Sequence, residues 1–435
     1  MAEREPVDVP LVASSPAPPA ADRRFFPWLV LGLSFALLLS DFMCRQVLAA
    51  VFPLLKVEWT LSDTQLGALT SVVALTVGVL TLPLSILADR FGRRRAILGM
   101  AVVWSLATLA SALAVNYGQL LTARVFIGAG EAAYGSVGLA VVLSVFPPHR
   151  RAALSGTFSA GATFGSALGV ALGGVLAVRF GWRWSVAAMA AIGLVLAVLY
   201  RQLVTEAKLA RHTRSENRDS VAPRRTGRSL LSALLSPPAL VCAYVGGGLQ
   251  LFVAGALLTW LPSYLLRAYG LPPGAAAGLA SLLLLGMAVG MIVCGLLTDR
   301  LARAAPVRTW TAAMGYVVAS LLLLGAGFAL PPGPAQLTLI GAGAFFTAGT
   351  TGPAGALVAG LTPAAVRAGA LGVLALAYNL LGLTLGPLVV GVLADRLGLT
   401  TAMRLAPAVS LAVLAVLAVG RHAYPGSARR VAPRS

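Results

Sequence analysis

Two acids and two bases lie inside long apolar segments of this chain: Asp41 and Arg45 in one segment, Arg124 and Glu131 in another. Residues four or seven positions apart share one face of a helix, so each acid faces the same way as its base. A charged side chain in hydrocarbon is costly and normally faces a cavity or a partner. Helical rise places both acids near the middle of their segments. The pattern predicts a buried polar site at mid-depth.

Two kinds of chemistry fit these four groups. The guanidinium groups of Arg45 and Arg124 offer planar pairs of donors for an anionic group of a substrate. Glu131 and Asp41 are candidates to exchange a proton, because apolar surroundings favour a protonated carboxyl group whereas a nearby arginine favours the ionised form. The alternative is a static charge network that only holds the two segments together.

The segments that carry these groups are typical of a membrane protein. The chain of 435 residues is 58% hydrophobic and 11% charged, with a mean hydropathy of +0.87. Apolar stretches of about 20 residues recur, and such a stretch crosses a bilayer as a helix. Twelve spans are predicted, at roughly 27–52, 64–88, 96–116, 119–146, 153–178, 184–203, 237–266, 275–298, 309–329, 336–361, 369–393 and 400–420. They are numbered spans 1 to 12 below.

The net charge of +19 is explained by topology and not by nucleic acid. With the N-terminus in the cytoplasm, 25 of the 33 lysines and arginines fall on the cytoplasmic side, 6 on the outer side and 2 within spans. This bias predicts that both termini are cytoplasmic. The predicted division is a disordered tail (1–26), a six-helix bundle (27–203), a cytoplasmic linker (204–236), a second six-helix bundle (237–420) and a tail (421–435).

A short charged hairpin is written twice, about half the chain apart. The first copy, after span 2, contains Asp89, Arg90, Gly92 and Arg93, and the second, after span 8, contains Asp299 and Arg300. A repeat of this period in a chain of apolar spans indicates two homologous bundles, as in many secondary transporters.

The first hairpin, Ser85-x-Leu87-Ala88-Asp89-Arg90-x-Gly92-Arg93-Arg94, resembles the signature loop of the major facilitator superfamily. Residues 45–48, 61–67, 124–132 and 260–265 resemble the bacterial spinster-like branch of that superfamily, and the pieces in spans 4 and 7 also resemble the anion:cation symporter branch. Both branches usually carry an adjacent Asp-Arg pair in span 1. Here Cys44 precedes Arg45, and Asp41 is the nearest acid.

The resemblance implies an all-α fold of two pseudo-symmetric six-helix bundles, with spans 1 and 4 lining a central cavity. It also implies that the hairpins latch the halves together when the cytoplasmic side is closed, which assigns gating roles to Asp89, Arg90, Gly92, Arg93, Asp299 and Arg300. In the second half no acid or base lies in the middle of a span, so the expected pocket residues there are the neutral Trp260, Tyr378 and Asn379. The alternative for these three is interhelical packing.

These observations predict a monomeric secondary transporter in a bacterial inner membrane. It would move a small anionic or amphiphilic organic solute by alternating access, coupled to protons. Multidrug or metabolite efflux by proton antiport is the alternative, followed by a solute receptor without transport. Span 5 lacks the Gly-Pro pair of drug antiporters, since Val170 follows Gly169. No nucleophile–base pair, metal-ligand spacing or phosphate loop appears, so neither an enzyme nor a cofactor is expected.

Overall fold

The computed structural model describes residues 20–147, 150–212, 234–363 and 366–431, and these residues are helical without any strand. The predicted all-α fold is therefore confirmed. The α-helices are Ala20–Trp59, Asp63–Phe91, Arg93–Leu113, Tyr117–Glu131, Tyr134–Val145, Arg151–Phe180, Trp182–Leu203, Glu206–His212, Pro238–Tyr269, Pro273–Ala304, Arg308–Ala329, Pro334–Thr347, Thr351–Gly360, Arg367–Ala377, Leu385–Leu397, Leu399–Leu405 and Val409–Val431.

Eleven helical segments within the described residues are long and apolar enough to cross a membrane, and they coincide with spans 1 to 9, 11 and 12. Span 10 is present but broken into Pro334–Thr347, a 3₁₀ turn at Ala348–Thr350, and Thr351–Gly360. The break follows from the sequence, because Pro353 has no N–H to donate to the carbonyl of Gly349. Eleven of the twelve predicted spans thus have the length and apolar character of a membrane crossing, and the interrupted span 10 is the twelfth predicted segment.

Two further spans are irregular near the predicted site. Span 4 is interrupted at Ala132 and Ala133, directly after Glu131, and span 11 contains a π-helical stretch at Tyr378–Thr384. Such interruptions often accompany functional positions in helices.

The chain ends differ from the predicted tails. The first helix already begins at Ala20, and the last continues to Val431. In the predicted linker, Glu206–His212 is a short helix, whereas residues 213–233 lie outside the described residues.

The two halves repeat one packing pattern. In the first half, span 3 packs on spans 4 and 6; in the second half, span 9 packs on spans 10 and 12. Span 1 lies against span 5 through a stripe of small residues. A Cβ atom on Gly169 would lie 2.8 Å from the carbonyl oxygen of Met43, so these helices approach as closely as their backbones allow.

Between the halves, span 2 packs on span 11, span 5 on span 8, and span 1 on span 7. Because the number of crossings is even, both ends of the chain lie at one end of the bundle, which we call the termini end. The opposite end, where spans 1 and 2 and spans 7 and 8 are joined, is called the far end.

Candidate functional site

The structure brings Arg45 of span 1 and Glu131 of span 4 together. Nε and Nη2 of Arg45 donate to Oε2 of Glu131 at 2.9 and 2.5 Å. The Glu131 side chain is 1% exposed and the Arg45 side chain is 13% exposed. The carboxylate is therefore fully buried, whereas part of the Arg45 side chain remains accessible. The other oxygen of Glu131, Oε1, has no hydrogen-bond partner in the described chain.

Asp41 joins this pair as a third charged group. Its carboxyl group interacts electrostatically with both Glu131 and Arg45, and the residue is 4% exposed. Its Oδ1 atom is buried without a hydrogen-bond partner among the described residues. Two buried carboxyl groups therefore share one flexible arginine, and each retains an oxygen that could hold a proton.

Arg124 is placed differently from Arg45. It is 1% exposed, and its Nε, Nη1 and Nη2 donate to the carbonyl oxygens of Leu69, Cys44 and Arg45 at 3.0, 3.4 and 3.2 Å. The guanidinium thus ties span 4 to spans 1 and 2 in this conformation. Binding of a substrate by Arg124 stays a prediction.

Glycines allow span 4 to pack closely enough to make these contacts. A Cβ atom on Gly128 would lie 2.7 Å from the carbonyl oxygen of Val73 in span 2, and one on Gly130 would lie 2.6 Å from the backbone nitrogen of Trp104 in span 3. The sequence before Glu131 therefore serves to place its carboxylate deep inside the first half.

Two neighbouring cavities lie between the halves beside this cluster. The first, of about 50 Å³, is lined by Phe42, Arg45, Gln46, Thr70, Ala74, Ser166, Gly255, Leu258, Thr259, Leu383 and Pro387. The second, of about 150 Å³, shares Phe42, Ser166 and Leu258 and extends along span 8 past Leu284, Met287 and Met291. Arg45 is the charged residue among those that line the first cavity, and its guanidinium carbon lies 5.3 Å from the centre of the Phe42 ring.

The three pocket residues expected in the second half line neither cavity. Trp260 is fully buried, donates from Nε1 to the carbonyl oxygen of Pro387 at 3.0 Å, and packs on Phe52 of span 1. Tyr378 donates to the carbonyl oxygen of Thr351 at 3.4 Å. Asn379 donates to Ala375 at 2.9 Å, and its Oδ1 is a buried acceptor without a partner among the described residues. Their roles in binding stay predictions.

Sequence reasoning missed the neutral polar groups of the first cavity: Gln46, Thr70, Ser166 and Thr259. One signal was available, because Gln46 directly follows Arg45 and is itself 4% exposed. The helical face that each of the others presents to the cavity depends on how the two halves dock, and no local pattern reports that.

Charges that cross between the halves close the far end. Arg267 of span 7 donates from Nη1 and Nη2 to the two carboxylate oxygens of Asp63 of span 2, both at 2.7 Å. Lys56 of span 1 donates to the same carboxylate at 2.5 Å. The Asp395 carboxylate of span 11 accepts from the backbone N–H groups of Asp63 and Thr64 at 2.7 and 2.8 Å, which places a negative charge at a helix N-terminus.

None of these far-end charges was predicted, although one signal was present. Residues 393–398 read Leu-Ala-Asp-Arg-Leu-Gly and residues 87–92 read Leu-Ala-Asp-Arg-Phe-Gly. The hairpin motif at the termini end thus has a close copy at the far end, in the other half.

At the termini end, three of the predicted latch residues make no polar contact across the halves within the described part of the chain. Arg90, Asp299 and Arg300 are exposed and make no ion pair with the residues that the structure describes. Gly92 has a φ of 89°, which a glycine adopts without strain, and it joins spans 2 and 3. Arg93 is exposed, and the side chain of Asp89 lies outside the described part. The latch stays a prediction.

Comparison with known proteins agrees with this architecture. The family profile of the Major Facilitator Superfamily matches residues 33–350. A crystal structure of a bacterial homolog of the human lysosomal transporter spinster, in an inward-facing and unoccupied conformation, superposes with a TM-score of 0.75 at 20% identity and covers 95% of this chain and 98% of that one.

Curated relatives include a hexuronate transporter, a probable L-galactonate transporter and spinster homologs. The hexuronate transporter of Bacillus subtilis is 29% identical over 53% of this chain and 54% of its own length. The probable L-galactonate transporter of Escherichia coli is 29% identical over 64% of this chain and 63% of its own length. Human protein spinster homolog 1 is 27% identical over 53% of this chain and 44% of its own length. The matched part of the chain therefore spans about half the length of these relatives.

Proposed function

The chain belongs to the Major Facilitator Superfamily, and from that premise we propose that it is a proton-coupled transporter of a small anionic or amphiphilic organic solute. The relatives named for hexuronate and L-galactonate support an organic anion as the solute. We propose further that the protein lies in a bacterial inner membrane with the termini end toward the cytoplasm, in keeping with the distribution of its basic residues.

The observation that carries this proposal is the position of Arg45 between Glu131 and the first cavity. Nε and Nη2 of Arg45 contact Glu131, and Nη1 makes no hydrogen bond with a described residue. Because Arg45 lines the cavity, an anion that enters the cavity can accept hydrogen bonds from the Nη1 side of the guanidinium group. An anionic group that captures this edge competes with Glu131 for the same cation.

That competition couples substrate to protons. When the anion draws Arg45 away, Glu131 is left as a buried carboxyl group without its counter-ion, and burial then favours its protonated form. When the anion leaves, Arg45 returns and the proton is released. Asp41 lies beside the pair and is proposed as a second carboxyl group that holds or passes this proton.

Arg124 is proposed to act on the same anion through its charge. In this conformation its donors bind three carbonyl oxygens, so its contribution is a fixed positive potential and rigid placement of span 4. Trp260, Tyr378 and Asn379 are proposed to supply neutral contacts from the second half. Such contacts require the halves to move, which is the rocking motion that alternating access entails.

Substrate-induced proton flux in proteoliposomes tests the proposal. A pH-sensitive dye inside the vesicles would report on additions of sugar acids, simple carboxylates and lysolipids. We expect a pH change with one class of anion, and none with Glu131→Gln. Glu58→Gln is the matched control, because Glu58 pairs with Arg183 at 2.6 Å on the far-end rim, away from the cavity, and that variant should retain the flux.

Other outcomes would replace the proposal. Full coupled transport by Glu131→Gln would remove Glu131 from the proton cycle. Extrusion of cationic dyes with no response to anions would indicate multidrug or metabolite efflux. Binding of a solute without any flux would indicate a receptor.

A further inference from the structure

A large apolar groove lies outside the transport site, on the first half near the termini end. Its volume is about 480 Å³, and it lies between spans 2 and 3 with span 4 beneath it. The residues that line it are Leu80, Leu84, Leu87, Ala88, Phe91, Arg95, Ala96, Gly99, Met100, Val103, Ala129 and Gly130. Spans 2 and 3 both pack extensively on span 4 and much less on each other, and this arrangement leaves the groove open along its length.

The groove faces the bilayer. Phe91, Leu87 and Val103 on its walls are 63%, 43% and 41% exposed, which for apolar side chains on a membrane helix means contact with lipid. Gly99, on the wall formed by span 3, leaves space in the groove, because a Cβ atom there would meet nothing within 4 Å. The natural occupant of such a space is a hydrocarbon chain.

A charged residue lies at the mouth of the groove, and a bound hydrocarbon chain alone would give it no partner. Arg95 lines the mouth with a side chain that is 70% exposed. Arg95 contacts Glu206 at 3.0 Å, but Glu206 is 53% exposed, and exposed ion pairs of this kind add little stability. Arg94 is already committed, since its guanidinium donates to the carbonyl oxygens of Val204 and Arg201 at the end of span 6.

We propose that this groove is a binding site for one anionic phospholipid. One acyl chain would lie between spans 2 and 3, and the phosphate would pair with Arg95 in place of Glu206. The depth fits this arrangement, because the arginine sits at the end of the spans, where headgroups lie, and the apolar walls continue from it toward mid-depth. A bidentate arginine–phosphate pair, with two parallel hydrogen bonds, is stronger than the exposed ion pair that it replaces.

Lipid retention measured by native mass spectrometry tests the proposal. The full-length protein would be equilibrated in nanodiscs of phosphatidylglycerol or of phosphatidylcholine and then released, and the lipids that remain bound would be counted. We expect one retained phosphatidylglycerol and no retained phosphatidylcholine. Arg95→Gln should weaken retention about fivefold, the effect of one arginine at a membrane surface. Gly99→Leu should abolish retention, because the leucine side chain would fill the space in the groove. Glu206→Gln should strengthen retention, because it removes the ion pair of Arg95.

Two matched variants separate this site from general lipid contact. Arg300→Gln removes an exposed arginine from the second hairpin, and Gly278→Leu adds the same side chain at an exposed glycine of span 8 where a Cβ atom would also meet nothing within 4 Å. Both should retain lipid as the unchanged protein does. Equal retention by all five variants, or equal retention of both lipids, would overturn the proposal. Melting temperature and monodispersity confirm that each variant is folded, and none of these readouts depends on transport.

Discussion

The two ends of this molecule carry related charged motifs. The far-end copy makes contacts across the halves, and Arg90 of the termini-end copy makes no ion pair with a described residue. At the far end, the carboxylate of Asp395 in the Leu393–Gly398 copy accepts hydrogen bonds from backbone N–H groups in the first turn of span 2, in the other half. Arg267 donates two hydrogen bonds to Asp63 in that same turn. At the termini end, Arg90 of the Leu87–Gly92 copy is exposed and pairs with no described residue. The far end is joined across the halves by charge, whereas Arg90, Asp299 and Arg300 at the termini end make no ion pair with a described residue.

The difference teaches how a two-state transporter can be built from one kind of contact. A carboxylate at a helix end and its arginines are worth little in water but more where protein shelters them. If the same motif stands at both ends, closing one end can compensate for opening the other, so that neither state is much more stable. Alternating access needs such a near balance.

The largest effect should come from Arg267→Ala. This change removes two charge-assisted hydrogen bonds and leaves Asp63, whose side chain is 4% exposed, with Lys56 alone. We expect the closed far end to lose about 2 kcal/mol, or roughly thirtyfold in its population relative to the open state. Double electron–electron resonance would measure the distance between spin labels at Asn116 and Pro332, which lie on far-end loops of the two halves. We expect this distance to lengthen. An unchanged distance distribution would show that Arg267 does not hold this end closed.

A smaller effect in the same direction is expected for Asp395→Ala. The backbone N–H groups of Asp63 and Thr64 would lose their acceptor, but water replaces it once the end opens. About 1 kcal/mol, or roughly fivefold, is expected from the lost charge at the helix N-terminus. Asp395→Asn is the informative partner variant, because it keeps one acceptor and removes the charge. Equal distances in the two variants would mean that the charge, and not the hydrogen bond, matters.

Asp89→Asn should act in the opposite direction. If the hairpin after span 2 is a latch, its loss disfavours the state in which the termini end is closed, so the far end should stay closed for longer. The expected change is a few-fold and would be seen as a larger fraction of molecules at the short distance between the same two labels. Combined with Arg267→Ala, it should partly restore the original distribution. A shift toward the open far end would contradict the idea that the two copies oppose each other.

Local patterns in the sequence predicted the spans and the charged residues inside them, among them Arg45 and Glu131, but not the far end. Spans follow from the length of apolar runs, and a charged residue inside such a run must find a partner. Asp63 and Arg267, by contrast, lie at span ends, where charged residues are ordinary, and they are 204 positions apart. The directions of Trp260 and Asn379 depend on how two halves dock and on the π-helical stretch of span 11. No short-range periodicity encodes either.

The smallest effect should come from Lys56→Ala, and it sharpens the comparison most. Lys56 bonds to the same carboxylate as Arg267 at 2.5 Å, but it belongs to the same half as Asp63. Its bond therefore survives when the halves separate, and its loss should change the open-to-closed ratio less than twofold, although it removes the same unit of charge as Arg267→Ala. If Lys56→Ala opened the far end as much as Arg267→Ala, the general charge of this rim would control the gate. If it did not, the decisive property is that a contact crosses between the halves, since only such a contact differs between the two states.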